Sequence, residues 1–217
     1  AGYLAARRLR FAVCDARAPE GQSRLDEQLR PWLARWHVGP GYLDGLAAYR
    51  LLFRTPGLRP DHPQLRCAAA AGARLCSQTR LFAALSPAPL IGVTGTKGKG
   101  TTASLLGAML QQPGGGRVWV GGNIGAAPIA WLGDIGRDDA VVLELSSFQL
   151  ADWERGTHVA VVLRIATDHL DYHGSETAYA EAKRRLFTQP ELGAAVLNLD
   201  DAFGRALYAE LPATLPV

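Results

Sequence analysis

Short apolar segments alternate along the chain with segments whose apolar residues recur at helical spacing. The apolar runs predict strands at Phe11–Cys14, Tyr49–Phe53, Leu90–Val93, Arg117–Val120, Ala140–Leu145, His158–Ile165 and Ala194–Asn198. The periodic segments predict helices at Ser23–Trp36, Pro63–Ala71, Thr101–Gln111, Glu176–Phe187 and Asp201–Leu211. This alternation is typical of a parallel sheet covered by helices, so the predicted fold class is α/β.

A proline-containing segment divides the chain into two parts. Pro87 and Pro89 lie two residues apart, and such a pair favours an extended chain and prevents a helix from continuing. The length of 217 residues holds one large domain or two small ones at roughly 150 residues per domain. We therefore predict an N-terminal domain at residues 1–86 and a second domain at residues 87–217.

Composition and charge exclude several classes of protein. Hydrophobic residues make up 48% and charged residues 20%, which argues against disorder and fibrous repeats. The net charge of +3 comes without a long basic run, so we expect no nucleic-acid partner. No apolar stretch approaches the roughly 20 residues of a membrane span. An odd set of three cysteines fits a reducing compartment, and the predicted location is cytoplasmic.

A glycine-rich segment after the strand Leu90–Val93 has the order that a phosphate site requires. Glycines let backbone N–H groups turn toward one anion, the following helix adds partial positive charge, and a lysine meets the terminal phosphates. The strict P-loop spacing is not met, because Val93 replaces the first glycine and Gly100 follows Lys99. An ordinary strand-to-helix turn is the alternative. The predicted phosphate-binding residues are Gly95, Thr96, Lys97, Gly98, Lys99, Gly100, Thr101 and Thr102.

Three candidate residues follow later strands or lie on a late helix. Glu144 ends an apolar run, and a carboxylate at that end of a parallel strand faces the ligand crevice, where it suits Mg²⁺. The alternative for Glu144 is an ion pair with a surface arginine. Taken alone, His169 is better explained by a structural hydrogen bond, and Lys183 by a solvated helix position.

The phosphate loop resembles T-G-T-x-G-K-[TSG]-[TS], the ATP-binding loop of the Mur ligase superfamily, whose members join amino acids to a carboxylate through an acyl phosphate. Its Lys-Gly-Thr form is the one associated with the folylpolyglutamate synthase branch. Four further motifs are similar to those of the branch that adds D-glutamate to UDP-N-acetylmuramoyl-L-alanine for peptidoglycan. They lie at Thr55–Pro63, Gly121–Gly125, Glu144–Leu150 and Asp168–His173.

This resemblance implies a Rossmann-like, UDP-substrate-binding N-terminal domain and a P-loop-type, ATP-binding central domain. It implies that the cofactors are ATP and Mg²⁺ or Mn²⁺, and that Lys183 is carbamylated. The implied catalytic residues are Lys99, Glu144, His169 and Lys183, and the implied metal ligands are Thr101, Glu144, His169 and Lys183. The implied substrate-binding residues are Asp15, Arg17, Pro56, Gly57, Asn123, Ser146 and Gln149.

Some positions depart from the family pattern, and some alternatives stay open. Gly100 leaves the metal-binding hydroxyl to Thr101 or Thr102, Thr55 replaces Ser, and Arg164 replaces Asn. Asp15 is equally consistent with a helix cap. Relative to the family, we expect both domains to be truncated and the amino-acid-binding domain to be absent, so that this monomeric fragment alone is inactive. Another superfamily ligase, such as a folylpolyglutamate synthase, and a non-catalytic nucleotide-binding module are the alternative functions.

Overall fold

The computed structural model describes residues 1–17, 27–154 and 156–217. Its strands are β1 (Phe11–Asp15), β2 (Leu33–Val38), β3 (Leu51–Arg54), β4 (Arg74–Ser77), β5 (Leu90–Thr94), β6 (Val118–Gly122), β7 (Ala140–Glu144), β8 (Val159–Val162) and β9 (Ala194–Leu197). Its α-helices are α1 (Gly2–Ala6), α2 (Pro63–Ala70), α3 (Gln78–Leu85), α4 (Lys99–Leu110), α5 (Ser147–Leu150), α6 (Leu170–His173), α7 (Glu176–Arg184) and α8 (Ala202–Glu210). Short 3₁₀ segments lie at Arg30–Trp32, Leu46–Ala48, Pro128–Trp131 and Arg185–Phe187.

The chain forms two compact units, one of residues 1–52 and 61–75 and the other of residues 53–60 and 76–217. The predicted boundary between residues 86 and 87 lies inside the second unit, and the assignment of functional domains to the two sides of it stays a prediction. None of the helices in the described ranges is long and apolar enough to cross a membrane.

The first unit contains a parallel pair of strands, β1 and β2, whose register runs from Phe11 opposite Leu33 to Asp15 opposite Val38. The predicted helix Ser23–Trp36 is therefore wrong where it falls on described residues; its first part lies outside them. Pro31 would lie inside the predicted helix, where its ring and its missing backbone N–H interrupt the helical hydrogen bonds. The chain instead forms a 3₁₀ turn at Arg30–Trp32 and then pairs with β1. Two of the apolar residues that suggested a helical period, Leu33 and Trp36, belong to the strand β2.

The second unit is built on a five-stranded parallel sheet with the order β6-β7-β5-β8-β9. The first of these strands along the chain, β5, lies in the middle. After β5 the chain crosses to β6 at one edge of the sheet, returns to β7 between β6 and β5, and then adds β8 and β9 on the other side of β5. The order thus reverses beside β5, and ligands of open α/β sheets bind at such a reversal, outside the carboxyl ends of the strands. The predicted α/β class is confirmed.

Apolar side chains cover both faces of this sheet. On β7, Val141 and Leu143 belong to a buried cluster with Trp153, whereas Val142, which points to the other face, packs with Val93. Successive residues of a strand point to opposite faces, so a strand covered on both sides is apolar at every position. This is why a continuous apolar run identified β7 correctly.

The missed elements include β2, β4, α3 and the short helices α5 and α6. β4 pairs with β3 in a separate two-stranded sheet. Helix α3 begins after Ser77, whose side chain accepts a hydrogen bond from the backbone N–H of Arg80 and so caps the helix. The other predicted strands and helices of the second unit agree with the structure to within a few residues at their ends.

A glycine at the end of β6 brings this strand close to the backbone of Glu144. Gly122 has φ +109°, and a Cβ atom built on it would lie 2.2 Å from the carbonyl oxygen of Glu144. The next residue, Asn123, donates its backbone N–H to that oxygen at 2.9 Å. Only a residue without a side chain fits this approach, which fixes the backbone of Glu144 from one side.

We expect Gly122→Ala to lower the free energy of unfolding by about 2–4 kcal/mol, because it combines an unfavourable φ with displacement of a neighbouring backbone. Gly133→Ala is the control, since Gly133 lies in open space without a positive φ and its substitution should change stability by less than about 0.5 kcal/mol. Urea denaturation of both variants measures the difference. Equal stability of the two variants would contradict the proposed packing.

Candidate functional site

The glycine-rich loop joins β5 to α4 at the carboxyl edge of the parallel sheet. Gly95 has φ +151°, and a Cβ on it would lie 2.7 Å from Cβ of Leu163, so the loop lies close against the segment after β8. Helix α4 begins at Lys99, which places Thr101 and Thr102 in its first turn. The order strand, glycine turn and helix N-terminus is that of an anion site.

Lys99 and Glu144 approach one another beside this loop. The Lys99 ammonium donates a hydrogen bond to the Thr96 carbonyl oxygen at 3.2 Å, and its nitrogen lies 3.8 Å from Oε1 of Glu144. Glu144 ends β7 opposite Val93 of β5, and it is 3% exposed. Lys99 at the start of α4 and Glu144 at the end of β7 therefore form a cation and anion pair beside the loop, and their roles in binding phosphate and metal stay predictions.

The second carboxylate oxygen of Glu144, Oε2, is buried and has no hydrogen-bond partner. A buried acceptor without a donor costs about 1–3 kcal/mol, and more when it is charged. A divalent cation prefers oxygen ligands and would offset that cost. The alternative of an ion pair with a surface arginine is wrong, because the cation beside Glu144 is Lys99. The residues present therefore fit Mg²⁺ at Glu144.

Lys183 lies beneath the loop. Although it is on α7, it is only 1% exposed, and its ammonium donates to the Gly95 carbonyl at 2.9 Å and to the Thr94 hydroxyl at 3.4 Å. Burial, followed by the nearby charge of Lys99, lowers the pKa of Lys183 to about 7. A solvated helix position is therefore excluded. Lys97, Lys99 and Lys183 are the three lysines of the sequence, and two lie on the loop and one under it.

His169 occupies an exposed turn between β8 and α6. It has a left-handed backbone with φ +50°, its side chain is 45% exposed, and its Nε2 lies 3.7 Å from Oδ2 of Asp168. Across the described residues, no three His, Cys, Asp or Glu side chains are placed to share a metal ion. The roles of His169 and Thr101 as metal ligands thus stay predictions.

The predicted substrate residues of the second unit lie on three segments. Asn123 is exposed beside Glu144, and Pro56 and Gly57 lie in the loop after β3. Ser146 and Gln149 form a capping box at α5, and the Gln149 amide also donates to the Thr79 hydroxyl at 3.1 Å. Gln149 therefore has a structural role that its sequence motif did not reveal, and its contact with substrate stays a prediction.

In the first unit, Asp15 accepts a hydrogen bond from the backbone N–H of Arg17 at 2.9 Å. The carboxylate closes a short turn after β1 and does not cap a helix in the described part of the unit. Both residues are exposed, and their contact with the nucleotide also stays a prediction.

Several residues that the sequence did not single out connect the loops of the site. The Thr96 hydroxyl accepts from the Ala166 backbone N–H at 2.8 Å and lies 3.0 Å from the Tyr179 hydroxyl. A cluster of rings packs beside it, made of Phe148, His169, Tyr172, His173 and Tyr179. Burial, followed by the charge of His169, lowers the pKa of His173. Thr96, predicted only as a phosphate ligand, thus also fixes the loop to its neighbours.

Comparisons with known proteins show which chains are similar to this one. The chain is 37% identical over 209 residues to the UDP-N-acetylmuramoylalanine–D-glutamate ligase of Ruminiclostridium cellulolyticum, a match that covers 96% of this chain and 45% of the relative. It is 40% identical over 209 residues to the protein of the same name from Symbiobacterium thermophilum, covering 96% and 46%. The chain thus spans less than half the length of these relatives.

A solved structure and a family match complete the comparison. The structure of a UDP-N-acetylmuramate:L-alanyl-gamma-D-glutamyl-meso-diaminopimelate ligase from Neisseria meningitides superimposes with a TM-score of 0.56 at 19% identity, covering 99% of this chain and 71% of that one, which shows a shared fold. Residues 93–215, more than half of the chain, match the family described as the Mur ligase middle domain. The resemblance inferred from the motifs is confirmed, and the chain belongs to the Mur ligase family.

Proposed function

We propose that this chain is part of an ATP-dependent ligase, of the MurD type, that adds D-glutamate to UDP-N-acetylmuramoyl-L-alanine in peptidoglycan precursor synthesis. The observation that carries the proposal is the pair at the phosphate loop. Lys99 lies 3.8 Å from Glu144, whose other carboxylate oxygen is buried without a partner. The names of the two relatives, at 37% and 40% identity, supply the substrates.

Different residues of the loop bind different parts of ATP. The backbone around Gly95 and Gly98 and the start of α4 form the anion site, and Lys99 meets the terminal phosphates. Glu144 would hold Mg²⁺ or Mn²⁺ with a hydroxyl of Thr101 or Thr102. The metal, when bound, neutralises the charge that develops on the phosphates. Catalysis by these residues consists of positioning and charge neutralisation, with no nucleophile from the protein.

The reaction joins two substrates in two displacements. A carboxylate oxygen of UDP-N-acetylmuramoyl-L-alanine attacks the γ-phosphorus of ATP, the bond to ADP breaks, and an acyl phosphate forms. The D-glutamate amine then attacks the carbonyl carbon. Inorganic phosphate leaves with that carboxylate oxygen, the amine loses a proton, and an amide remains.

Lys183 fits the family's carbamylated lysine. A carbamate forms only from a neutral amine, and a pKa of about 7 leaves much of Lys183 neutral near pH 7. Its position beneath Gly95 would place the new carboxylate at the phosphate loop, where with His169 it would hold a second cation. Asp15, Arg17, Pro56, Gly57, Asn123, Ser146 and Gln149 remain the proposed substrate contacts, and the cytoplasmic location and the monomeric state also stay predictions.

The proposed activity requires both substrates, so phosphate release from ATP by the complete gene product that contains this chain should depend on UDP-N-acetylmuramoyl-L-alanine and on D-glutamate together. Lys99→Met should lower that rate by about a hundredfold or more, because it removes the positive charge at the phosphates. Arg137→Lys, an exposed position distant in sequence from the loop, should leave it unchanged. Turnover supported by a folate or by another amino acid would contradict the substrate assignment.

Lys183 should give a carbamate signal in ¹³C NMR when the protein is equilibrated with ¹³C-labelled CO₂. At constant dissolved CO₂ the signal should fall as the pH is lowered from about 8 to about 6, because the amine becomes protonated as the pH passes below its pKa of about 7. Lys183→Arg should abolish the signal, and Lys97→Arg should retain it. A signal that persists in Lys183→Arg would show that another amine carries the carbamate.

A further inference from the structure

Arg54, the last residue of β3, is a charged residue whose side chain is fully buried, with 0% of it exposed. Its Nη1 donates to three carbonyl oxygens of the loop that follows, those of Thr55 at 3.2 Å, Pro56 at 3.0 Å and Leu58 at 2.7 Å. The loop therefore curves around the guanidinium, which fixes the direction of its peptide groups.

The other side of the same guanidinium binds a distant part of the chain. Nη2 donates to the Phe148 carbonyl at 3.2 Å and to Oδ1 of Asp152 at 2.6 Å, and Nε donates to Oδ2 of Asp152 at 3.3 Å. Phe148 lies on α5 within the segment 146–149, and Asp152 follows that helix. One side chain thus connects the 55–58 loop to a segment more than 90 residues later in the chain.

A second contact holds the same loop. The Tyr172 hydroxyl donates to the Pro56 carbonyl at 3.0 Å. The Tyr172 ring packs against the Phe148 ring with centroids 4.4 Å apart, and Phe148 also packs against His169 at 4.7 Å. Three of the sequence motifs, which contain Pro56, Phe148 and His169, therefore meet around Arg54 and Phe148.

The chemistry of this centre requires arginine. A buried charge is tolerated when it is paired and when its remaining donors are satisfied. Asp152 pairs with Arg54 through two oxygens, one of which also accepts from Arg80, and the planar guanidinium reaches four carbonyls in addition. Lysine carries the same charge but has no planar set of donors, so it cannot replace these contacts.

A buried ion pair adds little net stability compared with apolar packing, so stability alone does not account for this arrangement. Its acceptors are main-chain carbonyls of loops that contain proposed substrate residues. We propose that Arg54 is a positioning residue, which holds the 55–58 loop against α5 so that this loop and the segment 146–149 bind the nucleotide-sugar substrate in one fixed geometry. This inference rests on the proposed function.

The test compares Arg54→Lys with Arg137→Lys in the complete gene product, by calorimetric titration with UDP-N-acetylmuramoyl-L-alanine and with a non-hydrolysable ATP analogue. Arg54→Lys should raise the Kd for the nucleotide-sugar by about tenfold or more, since a small displacement of binding groups has a large effect, and should change the Kd for the ATP analogue by less than about twofold. Arg137→Lys should change neither Kd. If Arg54 had a purely structural role, Arg54→Lys would lower the affinity for both ligands together or for neither.

Tyr172→Phe is the second variant, and it serves also if Arg54→Lys does not fold. It removes only the hydroxyl that binds Pro56, and should raise the Kd for the nucleotide-sugar in the same direction by a smaller factor. Hydrogen exchange of the backbone amides of residues 57–59, measured without ligand, should be faster in both variants. Unchanged exchange, or an unchanged Kd in a folded variant, overturns the positioning role.

The two proposals fail in different ways. If the unmodified protein does not bind UDP-N-acetylmuramoyl-L-alanine but exchange of residues 57–59 still depends on Arg54, the substrate assignment is wrong and the control of the loop is retained. If the unmodified protein binds the substrate and Arg54→Lys binds it equally well, the positioning role is wrong and the ligase function is retained.

Discussion

The contact between the Lys183 amine and the Gly95 carbonyl is the interaction on which the arrangement of the site depends. This hydrogen bond holds helix α7 against the glycine-rich loop between β5 and α4. Burial at this position lowers the pKa of Lys183 to about 7. Lys99 and Glu144 lie in the same region and set its charge. Two basic side chains and one acidic side chain favour an anionic ligand. Phosphates bound at the loop would supply the negative charge.

The topology explains why these groups meet. The strands β7, β5 and β8 are parallel neighbours, so the segments that follow them leave the sheet side by side at the same edge. Gly122 brings β6 against the backbone of Glu144, and the Thr96 hydroxyl joins the loop to the segment after β8. Arg54 adds the 55–58 loop to the same group of segments. The site is thus held by backbone contacts between loops that are far apart in the sequence.

Much of this architecture could be predicted from the sequence, but the contacts of particular residues could not. The apolar run before Glu144 identified a strand covered on both faces, and the glycines after β5 identified the turn that leads into helix α4. The helix predicted up to Trp36 was wrong because strand pairing overrode a helical period. The burial of Lys183 and of Arg54 could not be predicted, because it depends on contacts with residues 88 to 98 positions away in the chain. The capping role of Gln149 was not predicted, although a Ser and a Gln three residues apart are a pattern typical of a helix start.

The proposed function requires that the site direct a substrate carboxylate onto the terminal phosphate of ATP. It is tested most directly by following ¹⁸O from a labelled carboxylate of UDP-N-acetylmuramoyl-L-alanine during turnover by the complete gene product. Phosphate formed through an acyl phosphate carries one ¹⁸O atom, because the carboxylate oxygen leaves with phosphorus, and mass spectrometry of the released phosphate should show that atom. Phosphate without ¹⁸O would mean that water attacks ATP directly, and would contradict the account.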